Sequence, residues 1–138
     1  MHTIETLAVG MSASYSQTIT DYDIRAFAGL SGDRNPVHLD DIYAEASRFK
    51  KRIAHGMISA SFFSAIFGTQ LPGKGCVYVS QDLNFRKPVY IDDTVTAVVE
   101  ITAIDLETRK VHFNTYCIVK KSKVITVTAV IYMPDIKK

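Results

Sequence analysis

The chain has 138 residues, of which 47% are hydrophobic and 22% are charged. A chain of this length and composition forms one domain with a substantial apolar core, which excludes an intrinsically disordered protein. Its formal net charge of +2 is too small for the basic surface typical of nucleic-acid-binding proteins, so we expect no nucleic-acid partner.

The cysteines and the N-terminus help to predict the cellular compartment of the protein. Cys76 and Cys117 lie far apart without a CxxC motif, which favours reduced thiols over a disulfide framework or a zinc site. The first ten residues lack the basic stretch and apolar run of a signal peptide. The most apolar segment, residues 56–68, is shorter than the ~18 residues needed to span a bilayer. We expect a cytoplasmic protein without a membrane span, folded as a single domain over residues 1–138.

The first third of the chain predicts a strand and two helices. A weak strand pattern covers residues 11–19. A helix begins after Thr20, whose spacing from Asp23 resembles a capping box, and Gly32 ends it. A short helix follows over about residues 40–47, with an aspartate at its start as the cap.

The rest of the chain predicts one long helix followed by strands. The segment from Gly56 to Leu71 has apolar side chains on nearly every face, a pattern that predicts a buried helix. The residues after it are rich in Val, Ile, Thr, Tyr and Phe, which favour strands. The predicted strands are residues 76–86, 94–104, 110–120 and 124–133, with turns at 92–93, 107–108 and 121–122. Helices followed by strands favour the α+β class, with an antiparallel sheet wrapped around the buried helix.

The stretch SGDRNPVHLD, residues 31–40, is the first candidate for chemistry because it brings an acid and an imidazole close together. Asp33 and His38 held near one another can position a water molecule, and general acid–base catalysis of this kind contributes ~10²–10⁴ in rate. An aspartate after a helix is also a common cap or turn residue, and a histidine in a loop is commonly solvated. The spacing alone leaves both interpretations open.

The pair His55-Gly56 is the second candidate. Gly56 lies where the long helix begins, and the first N–H groups of a helix have no internal partner and carry partial positive charge. A glycine there lets a ligand approach the backbone closely, so its N–H can stabilise an oxygen that develops negative charge. The alternative is a flexible cap before a core helix.

The basic residues are a third group that can bind a ligand. Arranged along one face they can bind phosphates, although a solvated charged surface is the common alternative. The group consists of Arg48, Lys50, Lys51, Arg52, Lys74, Arg86 and Lys87.

Metal binding is the weakest interpretation of the polar residues. No pair of them has zinc-ligand spacing, and a proline stands where a calcium loop needs glycine. We therefore expect no metal. The residues considered were Asp33, His38, Asp40, Asp41 and His55.

Three stretches taken together resemble a known family. They are AGLSGDRNPVHLD, IAHGMISASFFS and LPGKGCVYVSQDLNFRKPVYIDDTV. In them the motif D-x-N-P-x-H is followed by a helix that opens with HGM and by the pattern F-x-x-P-V-x-x-x-D-x-V, from Phe85 to Val95. From about Asp21 to its C-terminus the chain resembles the MaoC-like, (R)-specific enoyl-CoA hydratases.

The resemblance implies a hot-dog fold, in which an antiparallel sheet wraps a long central helix. It implies a homodimer whose sheets join and whose active sites lie near the subunit interface. It implies reversible addition of water to a trans-2-enoyl-CoA, giving an (R)-3-hydroxyacyl-CoA. It also implies that no cofactor or metal takes part, with the CoA thioester as the substrate.

The resemblance also assigns residues. Asp33 and His38 match the family's catalytic pair, Asn35 matches the asparagine that supports the loop, and Gly56 matches the glycine whose N–H polarises the thioester carbonyl. We predict that Asp33 takes a proton from the attacking water and that His38 supplies the proton to Cα.

The acyl tail needs an apolar pocket, for which the long helix offers wall residues. The candidates are Phe63, Ser64 and Phe67. The alternative is that the two phenylalanines only fill the core.

Three other functions compete. A dehydratase of acyl-carrier-protein substrates uses the same chemistry on another carrier. A hot-dog thioesterase usually has an acid on the central helix, and none lies between Gly56 and Leu71. A non-catalytic acyl-CoA binding module keeps the pocket and loses the Asp–His pair, which is intact here.

Overall fold

The computed structural model describes residues 2–135. The chain runs through a short 3-10 helix, one strand, four helices and five strands. These are a 3-10 turn at Ile4–Thr6, β1 (Ser12–Thr18), α1 (Asp21–Ser31), α2 (Pro36–Leu39), α3 (Asp41–Ala46), α4 (Gly56–Thr69), β2 (Val77–Gln81), β3 (Asn84–Phe85), β4 (Thr94–Asp105), β5 (Lys110–Val119) and β6 (Ser122–Tyr132).

The strands form one antiparallel sheet, which confirms the predicted α+β class. Its order is β1-β4-β5-β6-β2, and β3 pairs with β6 beside β2. Alternate residues of β4 point to the core, because successive side chains of a strand face opposite sides of the sheet. Val95, Ala97, Val99 and Ile101 are all buried in this way.

The helix α4 packs across this sheet and contacts β1, β4 and β5. Its large side chains are buried, and the Phe67 ring packs edge-on against Phe113 of β5 with centroids 4.8 Å apart. The prediction of a helix buried on all sides is wrong, because the sheet covers only one side of it. The exposed side carries small residues: Ser61, Ser64, Ala65 and Gly68.

The polar ends of α1 confirm the predicted caps. Thr20 Oγ1 accepts a hydrogen bond from the N–H of Asp23, and an Asp23 carboxylate oxygen accepts from the N–H of Thr20. Gly32 ends the helix in the left-handed conformation, at φ 83°. This conformation favours glycine and turns the chain so that Asp33 starts a new direction.

Two predicted elements differ from the structure. The strand predicted over residues 76–86 is interrupted between β2 and β3. The last hairpin turns at Lys120 and Lys121, one residue earlier than predicted; both have positive φ, 48° and 69°, as a two-residue type I′ hairpin requires.

Among residues 2–135, no helix is both long enough and apolar enough to cross a membrane.

Candidate active site

The segment between α1 and α2 is shaped by its own side chains. Asp33 Oδ1 accepts a hydrogen bond from the N–H of Asn35 at 3.1 Å, and Asn35 Oδ1 accepts from the N–H of Val37 at 3.3 Å. Asn35 lies outside the helical region, as a residue before proline prefers, and it caps α2, whose first residue is Pro36. The sequence predicted a loop here, so α2 was missed. Its one turn carries His38 back towards Asp33.

The Asp33 and His38 side chains face one another. Asp33 Oδ2 lies 3.9 Å from His38 Nε2, while Asp33 Oδ1 holds the turn. A gap of this size is too long for a direct hydrogen bond, and it leaves both atoms within reach of one shared water molecule. The aspartate therefore serves as a turn residue with one oxygen and can act in chemistry with the other.

His38 is held in one tautomer. Its Nδ1 lies 2.7 Å from the carbonyl oxygen of Ile53, which can only accept, so Nδ1 carries the hydrogen and Nε2 exchanges protons. His38 as a whole is 8% exposed. Burial lowers the pKa of His38, and the positive groups of His55 and Arg52 act in the same direction; the bond to Ile53 and the charge of Asp33 oppose them.

Gly56 is the first residue of α4, and its N–H has no acceptor within residues 2–135. The Phe85 ring lies directly over it, so a Cβ at position 56 would be 2.6 Å from two of the ring carbons. Because there is no side chain, a ligand oxygen can reach an N–H at the positive end of the helix.

His38 and Gly56 line one cavity of about 350 Å³. Its other walls are mainly apolar and include Ser59, Phe85 and Ile125. The hydroxyl of Ser59 is buried and has no hydrogen-bond partner within the described residues. The cavity thus joins a proton-handling group and a free helix N–H to an apolar interior.

The predicted basic residues separate into four groups. Lys50 and Lys51 line a cavity apart from His38 and Gly56, together with Asp41 and Glu45. Arg48, Arg86 and Lys87 line the cavity that holds His38 and Gly56. Lys74 lies at a different cavity near the N-terminus. Arg52 is buried, where its Nε donates to the carbonyl oxygen of His38 at 2.7 Å and its guanidinium pairs with Asp21. Arg52 therefore supports the fold around the site, because its charge is already paired inside the protein.

The three predicted wall residues lie in two different environments. Phe63 and Phe67 are fully buried in the core, and neither lines the cavity at His38. Ser64 is exposed and lines a second cavity, of about 530 Å³, which shares Met57 with the first. The substrate-binding assignment of these residues stays a prediction; the geometry favours Ser64 over the phenylalanines.

Asp33, His38 and His55 offer ligand atoms within 4.8 Å of one another, but their geometry is unsuited to a metal centre. The rings of His38 and His55 are stacked, with centroids 3.9 Å apart and planes only 27° apart. The lone pair of an imidazole nitrogen lies in the plane of its ring. Two nearly parallel rings cannot both direct that pair at one ion about 2.0 Å away.

Phe85 and Ser59 line the site and Arg52 supports it. The sequence assigned neither Phe85 nor Ser59 to the site, and it grouped Arg52 with the candidate phosphate ligands. Phe85 was quoted only as part of a motif, and Ser59 lies one turn after Gly56 on α4. The signal for Ser59 was its spacing, since residues three apart share a helix face. Phe85 and Gly56 are far apart in the sequence and meet only in the folded protein, so a local sequence pattern does not predict their contact.

Comparison with known proteins gives a consistent result. The family model for the MaoC-like domain matches residues 5–126. The (R)-specific enoyl-CoA hydratase of Rhodospirillum rubrum is 48% identical, over 97% of this chain and 93% of that protein. The mitochondrial 3-hydroxyacyl-[acyl-carrier-protein] dehydratase of Arabidopsis thaliana is 36% identical, over 88% of this chain and 73% of that protein.

A solved structure extends the similarity to the fold. An (R)-hydratase from A. caviae, involved in PHA biosynthesis, superposes with a TM-score of 0.92 at 40% identity, over 94% of this chain and 99% of that one. The predicted hot-dog fold, a curled antiparallel sheet with a helix packed against it, is confirmed.

Replacing Gly56 with alanine tests the close approach at the start of α4. The added Cβ meets the Phe85 ring at 2.6 Å, so the ring must move and the cavity changes shape. Gly68→Ala on the same helix is the matched control, because a Cβ there meets nothing within 4 Å. We expect Gly68→Ala to stabilise the protein by about 0.5–1 kcal/mol. Gly56→Ala should give no such gain. Thermal unfolding compares the two, and equal gains would contradict the contact.

Proposed function

The chain belongs to the family of MaoC-like domains, and we propose that it is a hydro-lyase that adds water reversibly to trans-2-enoyl-CoA, giving an (R)-3-hydroxyacyl-CoA. One observation carries this proposal. A carboxylate and an imidazole nitrogen 3.9 Å apart lie beside a cavity into which a free helix N–H, that of Gly56, also opens. Hydration of a conjugated thioester needs these three groups together.

The first requirement is an electron-poor Cβ, because water is a weak nucleophile. The thioester carbonyl accepts a hydrogen bond from the Gly56 N–H, which draws electron density away from the double bond. As water attacks Cβ, charge builds up on that oxygen, and the N–H stabilises the enolate more than the substrate. Removing one such donor from an enzyme costs about 10²–10³ in turnover.

The second requirement is one proton, removed from water and delivered to Cα. Because the pKa of His38 is lowered by burial, its Nε2 is unprotonated at neutral pH and must receive a proton before giving one. The proton that leaves the attacking water meets this need. It passes through the Asp33–His38 pair, in keeping with the predicted roles of the two residues, and reaches Cα. Water supplies both the hydroxyl and the hydrogen that are added, so the reaction needs no cofactor.

The cations at the cavity support a substrate whose pantetheine arm ends in a phosphate, as that of CoA does. Arg48, Arg86 and Lys87 line the same cavity as His38 and Gly56, and among residues 2–135 no acid lines it with them; Asp33 lies beside it, next to His38. Arg86 Nε donates to Thr126 Oγ1 at 2.7 Å, which anchors the guanidinium to β6 at the cavity. A phosphate at the end of the pantetheine arm would meet these donors.

A dehydratase of acyl-carrier-protein substrates remains the second candidate function. A carrier protein presents its acyl group on the same arm, which also ends in a phosphate, and one of the similar proteins bears that name. Only the groups beyond the first phosphate distinguish the two carriers.

We also propose a homodimer that works in the cytoplasm. The edge strand β2 leaves Val77, Tyr78 and Val79 exposed, and an apolar edge strand is suited to pairing with a second copy. The cavity that Ser64 lines is formed partly by this strand, so such a dimer would bring the interface close to the site. Cys76 and Cys117 are free thiols, in keeping with a reducing compartment.

Asp33→Asn and His38→Gln test the catalytic pair. Each removes one proton-handling group and keeps the shape of the side chain, so turnover should fall by about 10²–10⁴ while the fold is kept. Hydration of crotonyl-CoA, followed by the loss of enoyl-thioester absorbance, measures it, with circular dichroism as the control for folding. Near-normal turnover in either variant would rule that residue out.

The pH dependence of hydration tests how His38 takes part. If neutral His38 receives the proton from water, the imidazolium form is inactive. The rate should then fall as the pH drops through the lowered pKa of His38, below its ordinary value of 6.5. A rate that rises on acidification through this range would mean that His38 must start protonated.

Lys87→Ala and Arg86→Ala test the phosphate site. Removing one cation from a phosphate site should raise KM for crotonyl-CoA by about 3- to 10-fold and leave kcat nearly unchanged. KM for crotonyl-pantetheine, which lacks both that phosphate and the nucleotide, should not change. Lys110→Ala, at an exposed position of β5, is the control. A wild-type preference for the crotonyl carrier-protein thioester would favour the second candidate function.

A further inference from the structure

His55 lies against both members of the catalytic pair and is almost completely buried, at 2% exposure. Its Nε2 is 2.9 Å from the backbone carbonyl oxygen of Asp33. A carbonyl can only accept, so Nε2 carries the hydrogen and donates it. The ring of His55 also stacks on that of His38, with centroids 3.9 Å apart. One side chain therefore contacts the backbone that carries the carboxylate and the face of the imidazole.

A histidine at this position costs stability. Its Nδ1 is buried and has no hydrogen-bond partner within residues 2–135, and an unpaired buried acceptor is unfavourable. The surroundings are aromatic, since the Phe27 ring lies edge-on to His55 at 4.9 Å. A phenylalanine would fill the same space without an unpaired nitrogen. What histidine adds is the bond to the Asp33 backbone.

We infer that His55 is a positioning residue of the hydratase reaction, an inference that rests on the proposed function. Its Nε2–H fixes the Asp33 backbone and its ring fixes the plane of the His38 ring. Asp33 Oδ2 and His38 Nε2 then face the same water molecule. His55 itself does not line the cavity that holds His38 and Gly56, so it acts through its two neighbours.

The same stack couples the charge of His55 to the titration of His38. The charged or titratable groups that face His38 are Asp33, His55 and Arg52, and the positive form of His55 lowers the pKa of His38. Removing His55 therefore raises the pKa of His38. The acidic limb of the pH–rate profile moves to higher pH. In His55→Phe a ring still covers His38, so a loss of burial does not account for the shift.

Two variants separate the two contacts. His55→Phe keeps a stacking ring and removes the hydrogen bond and the charge. His55→Gln keeps a donor for the Asp33 carbonyl and removes the ring and the charge. We expect kcat of His55→Phe on crotonyl-CoA to fall by about 10- to 100-fold with KM within about twofold, because a small misplacement of catalytic groups costs turnover. His55→Gln should recover part of this loss. Both should shift the acidic limb upward.

His112→Gln, at an exposed histidine of β5, is the matched control and should keep the wild-type rate and profile. Wild-type kcat and an unshifted limb in His55→Phe would overturn the inference. A wild-type protein without hydratase activity would instead overturn the proposed function.

A measurement on the wild-type protein does not depend on activity or on the variants' folding. Long-range ¹H–¹⁵N NMR correlations of the imidazole rings should show hydrogen on Nε2 of His55 and on Nδ1 of His38, both protected from exchange. Hydrogen on Nδ1 of neutral His55 would overturn the inference, because Nε2 would then have nothing to donate to Asp33.

Discussion

The hydrogen bond from His38 Nδ1 to the carbonyl oxygen of Ile53 is the interaction on which the site depends. It joins α2 to the segment that leads into α4, and so brings the catalytic pair to the start of that helix. It also fixes the tautomer, which leaves Nε2 as the nitrogen that can handle a proton. Arg52 strengthens the same junction from inside, since it donates to the His38 carbonyl and pairs with Asp21 of α1.

The packed side of α4 and its N-terminus have different roles. Its phenylalanines pack into the sheet and set the stability of the domain, while its N-terminus offers the Gly56 N–H to the cavity. Because the core holds α4 rigidly, that N–H is already in place before a ligand arrives. Preorganisation of this kind is what makes a single backbone donor effective in stabilising charge.

The sequence predicted the fold class and both ends of α1 correctly, because these depend on local periodicity and on the chemistry of caps and glycine. It also named Asp33, His38 and Gly56, which the structure brings together. When apolar residues occur on every face of a helix, the sequence does not indicate which face packs in the core and which lines a cavity. For this reason the sequence analysis grouped Phe63 and Phe67 with Ser64. It likewise could not place Phe85 over Gly56 or separate Arg52 from the cavity cations, because those contacts join residues far apart in the chain.

The small, exposed side of α4 has a consequence for how such an enzyme can diverge. Ser64 lies at the second cavity without belonging to the packed core, so its size can change with little effect on folding. Phe63 and Phe67, one and three positions away, tolerate almost no change in volume because they are fully buried. Selection on substrate size can therefore act on the exposed side of α4, while the need for stability conserves the side chains on its packed side. Substrate preference and stability can then evolve largely independently within the fourteen residues of one helix.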